Sequence, residues 1–193
     1  MANPATAPGA LGTGAPPFDL PGTDGKRHSL ASVRGRNGTV VMFICNHCPY
    51  VKAVVEKIVR DMSELAGHGV GSIAIMSNDP ADYPEDSFDH MKTFAKAHAF
   101  TFPYVVDETQ EIARVYGAVW TPDFFGYDRD LKLAYRGRLD SSGRSSDPDA
   151  PRELFTAMAE VARNGRAPAV QHAAVGCSIK WRREPGSRDP ARG

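Results

Sequence analysis

Thr39-Val-Val-Met-Phe-Ile-Cys45-Asn46-His47-Cys48-Pro49-Tyr50 decides the reading of this chain. An apolar, β-branched run ends in Cys-x-x-Cys, and helical periodicity starts directly afterwards. Val51, Val54, Val55, Ile58, Met62 and Leu65 recur at helical spacing, while Lys52, Glu56, Lys57 and Arg60 take the other side. This pattern predicts a helix of roughly four turns, ended by Gly67 and Gly69. A buried strand that feeds a helix N-terminus presents unpaired amides and the positive end of the helix dipole. A thiolate is an anion suited to that position and is the reactive form of cysteine. Two of the 3 cysteines lie here, which points to redox chemistry.

Outward from this stretch, Phe18 to Leu30 reads as a short hairpin turning at Asp24-Gly25, with Phe18 and Leu30 as its packing residues. Ile73-Ala-Ile-Met76 is a second buried strand and closes a β-α-β unit. A helix opening at Pro84 carries Phe88, Met91 and Phe94 inward, and Phe102 to Val106 is extended. Asp107 is placed to cap a helix over 108–117 that buries Ile112, Val115 and Tyr116. Thr121–Tyr127 and Lys132–Arg136 flank Asp128-Arg-Asp130 and form an antiparallel hairpin. Leu139 to Pro151 reads as a polar loop, and a last helix from about Pro151 stops at Asn164-Gly165. The order is that of an α/β thioredoxin fold, a central mixed sheet flanked by helices, with an N-terminal hairpin and a C-terminal extension. Residues 1–16 are expected to be flexible, 17–181 to form the domain, and 182–193 to be a disordered tail.

Composition excludes several classes of function. A chain of 193 residues can bury one substantial core. Its 23 basic and 23 acidic side chains cancel, which gives no electrostatic reason to expect nucleic acid as a partner. Three cysteines are too few for a secreted disulfide scaffold. Met1 to Ala10 lacks the basic and apolar regions of a signal peptide, and no apolar run approaches the ~20 residues that span a bilayer. A cytoplasmic location is therefore expected, with the Cys-x-x-Cys resting mostly as a dithiol.

The spacing of Cys45 and Cys48 lets their sulfurs meet across the first helical turn. Pro49 is favourable at the first helical position, so Cys48 is expected to be the N-cap, while Cys45 sits at the strand end and is expected to be more open to solvent. His47, as a partly cationic imidazole, is expected to hold a thiolate and lower its pKa. Thr121-Pro122 reads as a cis-proline candidate opposite the sulfurs. Cys177 is a small buried hydrophobe or a third redox partner. The alternative to redox chemistry is a metal site built from Cys45, His47, Cys48 and Cys177.

Cys45-Asn-His-Cys48-Pro-Tyr-Val-Lys52, Ser77-Asn-Asp79, Tyr83-Pro-Glu-Asp86, Phe102-Pro-Tyr104, Asp107-Glu-Thr-Gln110, Thr121-Pro-Asp-Phe-Phe125, Tyr135-Arg-Gly137 and Gly176-Cys-Ser-Ile-Lys-Trp181 together resemble the thioredoxin-like, peroxiredoxin-like branch of the alkyl hydroperoxide reductase/thiol-specific antioxidant superfamily. The resemblance implies a redox enzyme. Cys45, Cys48 and Pro122 match the Cys-x-x-Cys and cis-proline of thioredoxins. Cys48-Pro49 matches the peroxidatic end of the peroxiredoxin Thr-x-x-Cys, with Cys45 in place of the threonine. Trp120 stands where the family commonly has cysteine. The implied activity is thiol–disulfide oxidoreduction, with Cys45 attacking protein disulfides, or a thiol peroxidase with Cys48 attacking peroxide. Asn46, Trp120, Thr121 and Cys177 are candidates for redox or substrate contact. The expected partners are a protein or small-molecule thiol, disulfide or peroxide and an unidentified electron donor, without nucleic acid or membrane. No cofactor is expected beyond a Cys45–Cys48 disulfide. Peptide mapping after mild oxidation should find that disulfide before any bridge to Cys177; a dominant Cys177 link would contradict the pairing.

Overall fold

The sheet grows from a strand that is buried along its whole length. A computed structural model describes residues 9–182, so the expected tail from 183 onward lies outside the described residues. In it every residue of β3 (Gly38–Phe43) is buried, as its continuous hydrophobicity predicts. β3 pairs in parallel with β4 (Val70–Met76) and antiparallel with β7 (Asp123–Tyr127). β4 pairs in parallel with β5 (Tyr104–Val106), and β7 antiparallel with β8 (Leu133–Gly137). The resulting order is β5-β4-β3-β7-β8.

Alternate residues of a strand face opposite sides, and β3 divides the core accordingly. Val40 and Met42 join one cluster with α2 (Pro49–Gly67), α3 (Phe88–Ala97) and α5 (Glu153–Asn164). Val41 and Phe43 join the other, with Leu30 of α1 (Leu30–Val33) and Ala113 and Tyr116 of α4 (Glu111–Tyr116). This is the expected thioredoxin fold. Val51, Val54, Val55, Ile58, Met62 and Leu65 of α2 are all buried. Each such side chain contributes about 1.5–3 kcal/mol on leaving water, so packing fixes α2 and with it the cysteine at its N-terminus.

The hairpin of β1 (Asp19–Pro21) and β2 (Arg27–Ser29) forms as read, with Phe18 and Leu30 buried. Several expectations change. The stretch expected to be loose before residue 17 is instead held in part: Leu133 donates to Thr13 O, and Gly12 and Ala15 donate to Leu133 O and Leu131 O. They satisfy backbone groups at the edge of the sheet. Val115 is 48% exposed, because α4 is a short helix whose inward positions are Ala113 and Tyr116. Asp107 still serves its N-terminus, accepting from Ile112 N and Ala113 N. The loop after Leu139 is not simply a solvated one. Asp140 and Ser142 are buried, and both bond Lys57 Nζ.

The C-terminal extension runs back across the end of the sheet. β9 (Cys177–Ser178) pairs antiparallel with β6 (Trp120–Thr121), setting Cys177 opposite Thr121. Gly176 permits this approach, since a Cβ there would lie 2.2 Å from Thr121 O. Further along, Lys180 accepts from Asp79 N and Gln110 Nε2, and donates from its amide to Asn78 Oδ1.

Asp123, on β7, is 1% exposed, and neither carboxylate oxygen has a hydrogen-bond partner among the described residues. Burial pushes its pKa up to about 7, against the pull of Arg136, whose Nη2 is 3.8 Å away. The folded chain therefore binds this proton more tightly than the unfolded chain. The stabilisation is full below about pH 4 and is lost as pH rises through about 7. From this group alone the loss is up to about 4 kcal/mol. Asp123→Asn should remove that slope. Urea unfolding at pH 5 and pH 8 should show the wild type losing a few kcal/mol relative to the variant; parallel pH profiles would contradict the assignment.

Candidate active site

Cys48 is the N-cap of α2, with Pro49 at the first helical position, as the proline predicts. One expectation about the sulfurs changes. Cys45 is not the more open thiol: both cysteines are fully buried, because Cys45 follows Ile44 into the cluster beneath α2. His47 turns toward Cys45, with Nδ1 3.8 Å from its sulfur.

The two thiols sit in opposed environments. With its proton in place, Cys48 donates to Thr121 O at 3.0 Å. Without it, the neighbouring Cys45 and Cys177 thiols, the Thr121 hydroxyl and the Val51 amide of the first helical turn all favour the thiolate, although the sulfur closes no capping bond. These neighbours outweigh burial, so the Cys48 pKa is lowered, with the Cys45 thiol as the largest cause. Cys45 moves the other way. Donation to Cys48, burial and the nearby Asp86 charge all hold its proton on, opposed by the Thr121 hydroxyl, 3.4 Å from the sulfur. Cys48 is thus the acidic member of the pair.

Asp86 organises the loop that carries these residues. It lies at the end of a single 3₁₀ turn (Pro84–Asp86) and is 0% exposed. Its Oδ1 accepts from the amides of Asn46 at 2.8 Å and His47 at 3.2 Å, and its Oδ2 accepts from Asn78 Nδ2 at 2.8 Å. Oδ2 is also 2.5 Å from His47 Nδ1. On its other side the His47 ring stacks on Tyr83, with centroids 4.6 Å apart. Asn46, expected as a candidate for substrate contact, faces inward instead: it is buried, donates to Glu85 O and accepts from Tyr104 OH. Asp86, Tyr83, Asn78 and Tyr104 carry no chemical signal in the sequence beyond their place in the family resemblance.

Of the remaining predicted residues, Thr121 touches both sulfurs, and the Thr121–Pro122 bond is cis. Pro122 lines a cavity of about 120 Å³ with Tyr50, Val54, Leu139 and Val175. Trp120 is 40% exposed and pairs with Ser178. Cys177 is half-buried and packs against the cluster that holds Cys45 and Cys48. Cys45, His47 and Asp86 also bring potential metal-ligating atoms within 4.8 Å of one another, a set that shares only Cys45 and His47 with the metal site the sequence allows. Among the described residues no helix is long and apolar enough to cross a membrane.

The family model of the AhpC/TSA family matches residues 11–137. A protein of Mycobacterium tuberculosis (strain ATCC 25618 / H37Rv) that carries a peroxiredoxin name is 26% identical over 115 residues, 60% of this chain and 68% of that one. An uncharacterized conserved protein from Geobacillus kaustophilus has a solved structure that is 44% identical. It superposes with a TM-score of 0.86 and covers 91% of this chain and 94% of its own. The peroxidoxin BcpB from Mycobacterium tuberculosis is 16% identical, with a TM-score of 0.60 over 81% of this chain and 98% of its own, a likeness of fold.

Asp86→Asn keeps the shape of this hub but removes its charge and mismatches one donor, which should cost about 1–3 kcal/mol of stability. In a Cys48→Ser, Cys177→Ser background that leaves Cys45 as the remaining thiol, it should also lower the Cys45 pKa by about one unit. Thiolate absorbance against pH reads this, and an unchanged curve would remove Asp86 from the electrostatics of Cys45.

Proposed function

The chain belongs to the AhpC/TSA family, and from that premise we propose that it is a thiol–disulfide oxidoreductase working through Cys45 and Cys48, with Cys48 as the attacking thiolate. The carrying observation is the asymmetry of position in the pair: Cys48 caps a helix of 19 residues, while the Cys45 sulfur lies within 4.8 Å of a buried Asp86 carboxylate oxygen. This reverses the sequence-based preference for Cys45 as the sulfur that attacks protein disulfides, because a less acidic thiol holds less of the reactive thiolate at neutral pH.

In the first step Cys48 S⁻ attacks a substrate disulfide, forms a mixed disulfide and releases one substrate thiolate. The Cys48 charge is then gone, and with it the largest cause of the raised Cys45 pKa. Cys45 loses its proton to the released thiolate and attacks the Cys48 sulfur. That forms Cys45–Cys48 and frees the second substrate thiolate, so two electrons pass from the dithiol to the substrate. Thr121 touches both sulfurs in the dithiol state, and Pro122 borders the cavity where substrate backbone would lie.

Thiol peroxidase activity is the second reading, favoured by one observation: both sulfurs are fully buried, which admits a peroxide more readily than a protein disulfide. Cys48 S⁻ would attack one peroxide oxygen, breaking the O–O bond, releasing an alcohol or water and becoming a sulfenic acid; the Cys45 thiol would then condense with it, forming Cys45–Cys48 and releasing water. Paired variants separate the readings. In a Cys177→Ser background, Cys45→Ser should trap mixed disulfides on Cys48 and lower disulfide reductase turnover by roughly two orders of magnitude, while still forming a sulfenic acid with peroxide. Cys48→Ser should abolish both reactions. Mass spectrometry that finds the mixed disulfide or the sulfenic acid on Cys45 alone would overturn the assignment of Cys48.

A further inference from the structure

Neither sulfur of the Cys-x-x-Cys reaches the surface, yet an electron donor must reach one of them. The third cysteine packs on the cluster that holds the pair and is partly exposed. β9 sets Cys177 directly opposite Thr121, and Thr121 is the residue whose carbonyl oxygen is 3.0 Å from the Cys48 sulfur and whose hydroxyl is 3.4 Å from that of Cys45. The Thr121 hydroxyl also reaches Cys177 O at 3.5 Å. Cys177 packs on the cluster that contains both buried thiols but remains partly exposed. Gly176 is what lets the strand come this close, since any side chain would strike the Thr121 carbonyl. The extension is fastened beyond the cysteine as well, through Ile179 N to Val119 O, Lys180 N to Asn78 Oδ1 and Asp79 N to Lys180 O.

We propose that Cys177 is a relay thiol that carries electrons from an external dithiol at the surface to the buried Cys45–Cys48 disulfide. The proposal rests on the dithiol reading above and adds the route of reduction. In the oxidised protein the Cys177 thiolate attacks the Cys48 sulfur, forming Cys48–Cys177 and releasing the Cys45 thiolate, which takes up a proton. This exchange leaves the oxidation state of the protein unchanged. One thiolate of the donor then attacks the partly exposed Cys177 sulfur and releases the Cys48 thiolate. The donor's second thiolate attacks its own sulfur in the resulting mixed disulfide, leaves as an oxidised disulfide and returns Cys177 as a thiol. Two electrons enter, and the donor is the species oxidised.

The environment of Cys177 suits this order of events. In the reduced protein burial and donation to Cys48 raise its pKa to about 11, opposed by Lys180 and Arg144. Once Cys48 is tied up in a disulfide, its charge and its hydrogen bond no longer hold the Cys177 proton, while Lys180 and Arg144 still favour the thiolate. Cys177 is therefore held idle while the site is reduced and activated when it is oxidised.

Two experiments test the relay. First, Cys45→Ser treated with one equivalent of diamide should form an intramolecular Cys48–Cys177 disulfide by peptide mapping; failure to form it would overturn the proposal. Second, the full-length wild type and Cys177→Ser are oxidised to the Cys45–Cys48 disulfide and reduced either by thioredoxin, a bulky dithiol protein, or by a small phosphine. Cys177→Ser should slow reduction by thioredoxin by about tenfold or more while leaving the phosphine rate within about twofold. Equal thioredoxin rates would overturn the relay and leave the dithiol intact. Absence of the Cys45–Cys48 disulfide in both proteins would overturn the dithiol reading and the relay with it. A matched slowing with the phosphine would mean a structural effect of Cys177→Ser, and would also overturn the relay.

Discussion

The close approach of Thr121 to the N-terminus of α2 is the constraint on which this site depends. A carbonyl 3.0 Å from one sulfur and a hydroxyl 3.4 Å from the other bind the far side of the sheet to the Cys-x-x-Cys loop. The same short strand recruits the C-terminal extension, and the register of that pairing brings a third sulfur to the group. The approach is possible because β3 is buried from end to end and its neighbours β4 and β7 leave no freedom in where its last residues emerge. Close-packed interiors transmit such positional constraints with little slack.

Electrostatics then separates two chemically identical side chains. Both cysteines are removed from water, which by itself disfavours either thiolate. What distinguishes them is where the donors point. Cys48 gathers thiol and hydroxyl donors at the positive end of a helix of 19 residues, and Cys45 faces the Asp86 carboxylate. Asp86 is itself held by the amides of Asn46 and His47, the side chain of Asn78 and the His47 ring. A buried carboxylate is tolerated when its oxygens are satisfied in this way. Its role is thus double: it shapes the loop between the cysteines and biases which of them ionises. Asp123 is the contrast, a buried carboxyl without a hydrogen-bond partner among the described residues, and its proton is retained toward neutral pH.

Much of this was legible from residue order alone, because local chemistry and periodicity act over short stretches. The all-apolar run before Cys45 specified a central strand, the helical spacing of Val51 to Leu65 specified α2, and Pro49 fixed Cys48 as its cap. Such signals depend on backbone geometry within a few residues, which the sequence states directly. Relations between distant segments were not legible in the same way. Cys45 stands at a strand end that its own segment leaves open, yet it is buried, because burial depends on what the rest of the chain lays over that end. His47 lies 3.8 Å from the Cys45 sulfur and also bonds an aspartate 39 positions away, a partner that no local signal marks. The pairing of Cys177 with Thr121 joins residues 56 positions apart, and nothing in either segment specifies a register. The sequence by itself determined the elements, their order and the two sulfurs at a helix terminus. Only the tertiary structure decided which sulfur is acidic, which carboxylate shapes the loop and which third thiol is within reach, because hydrogen bonds and charges act through space over a few ångströms, irrespective of separation along the chain.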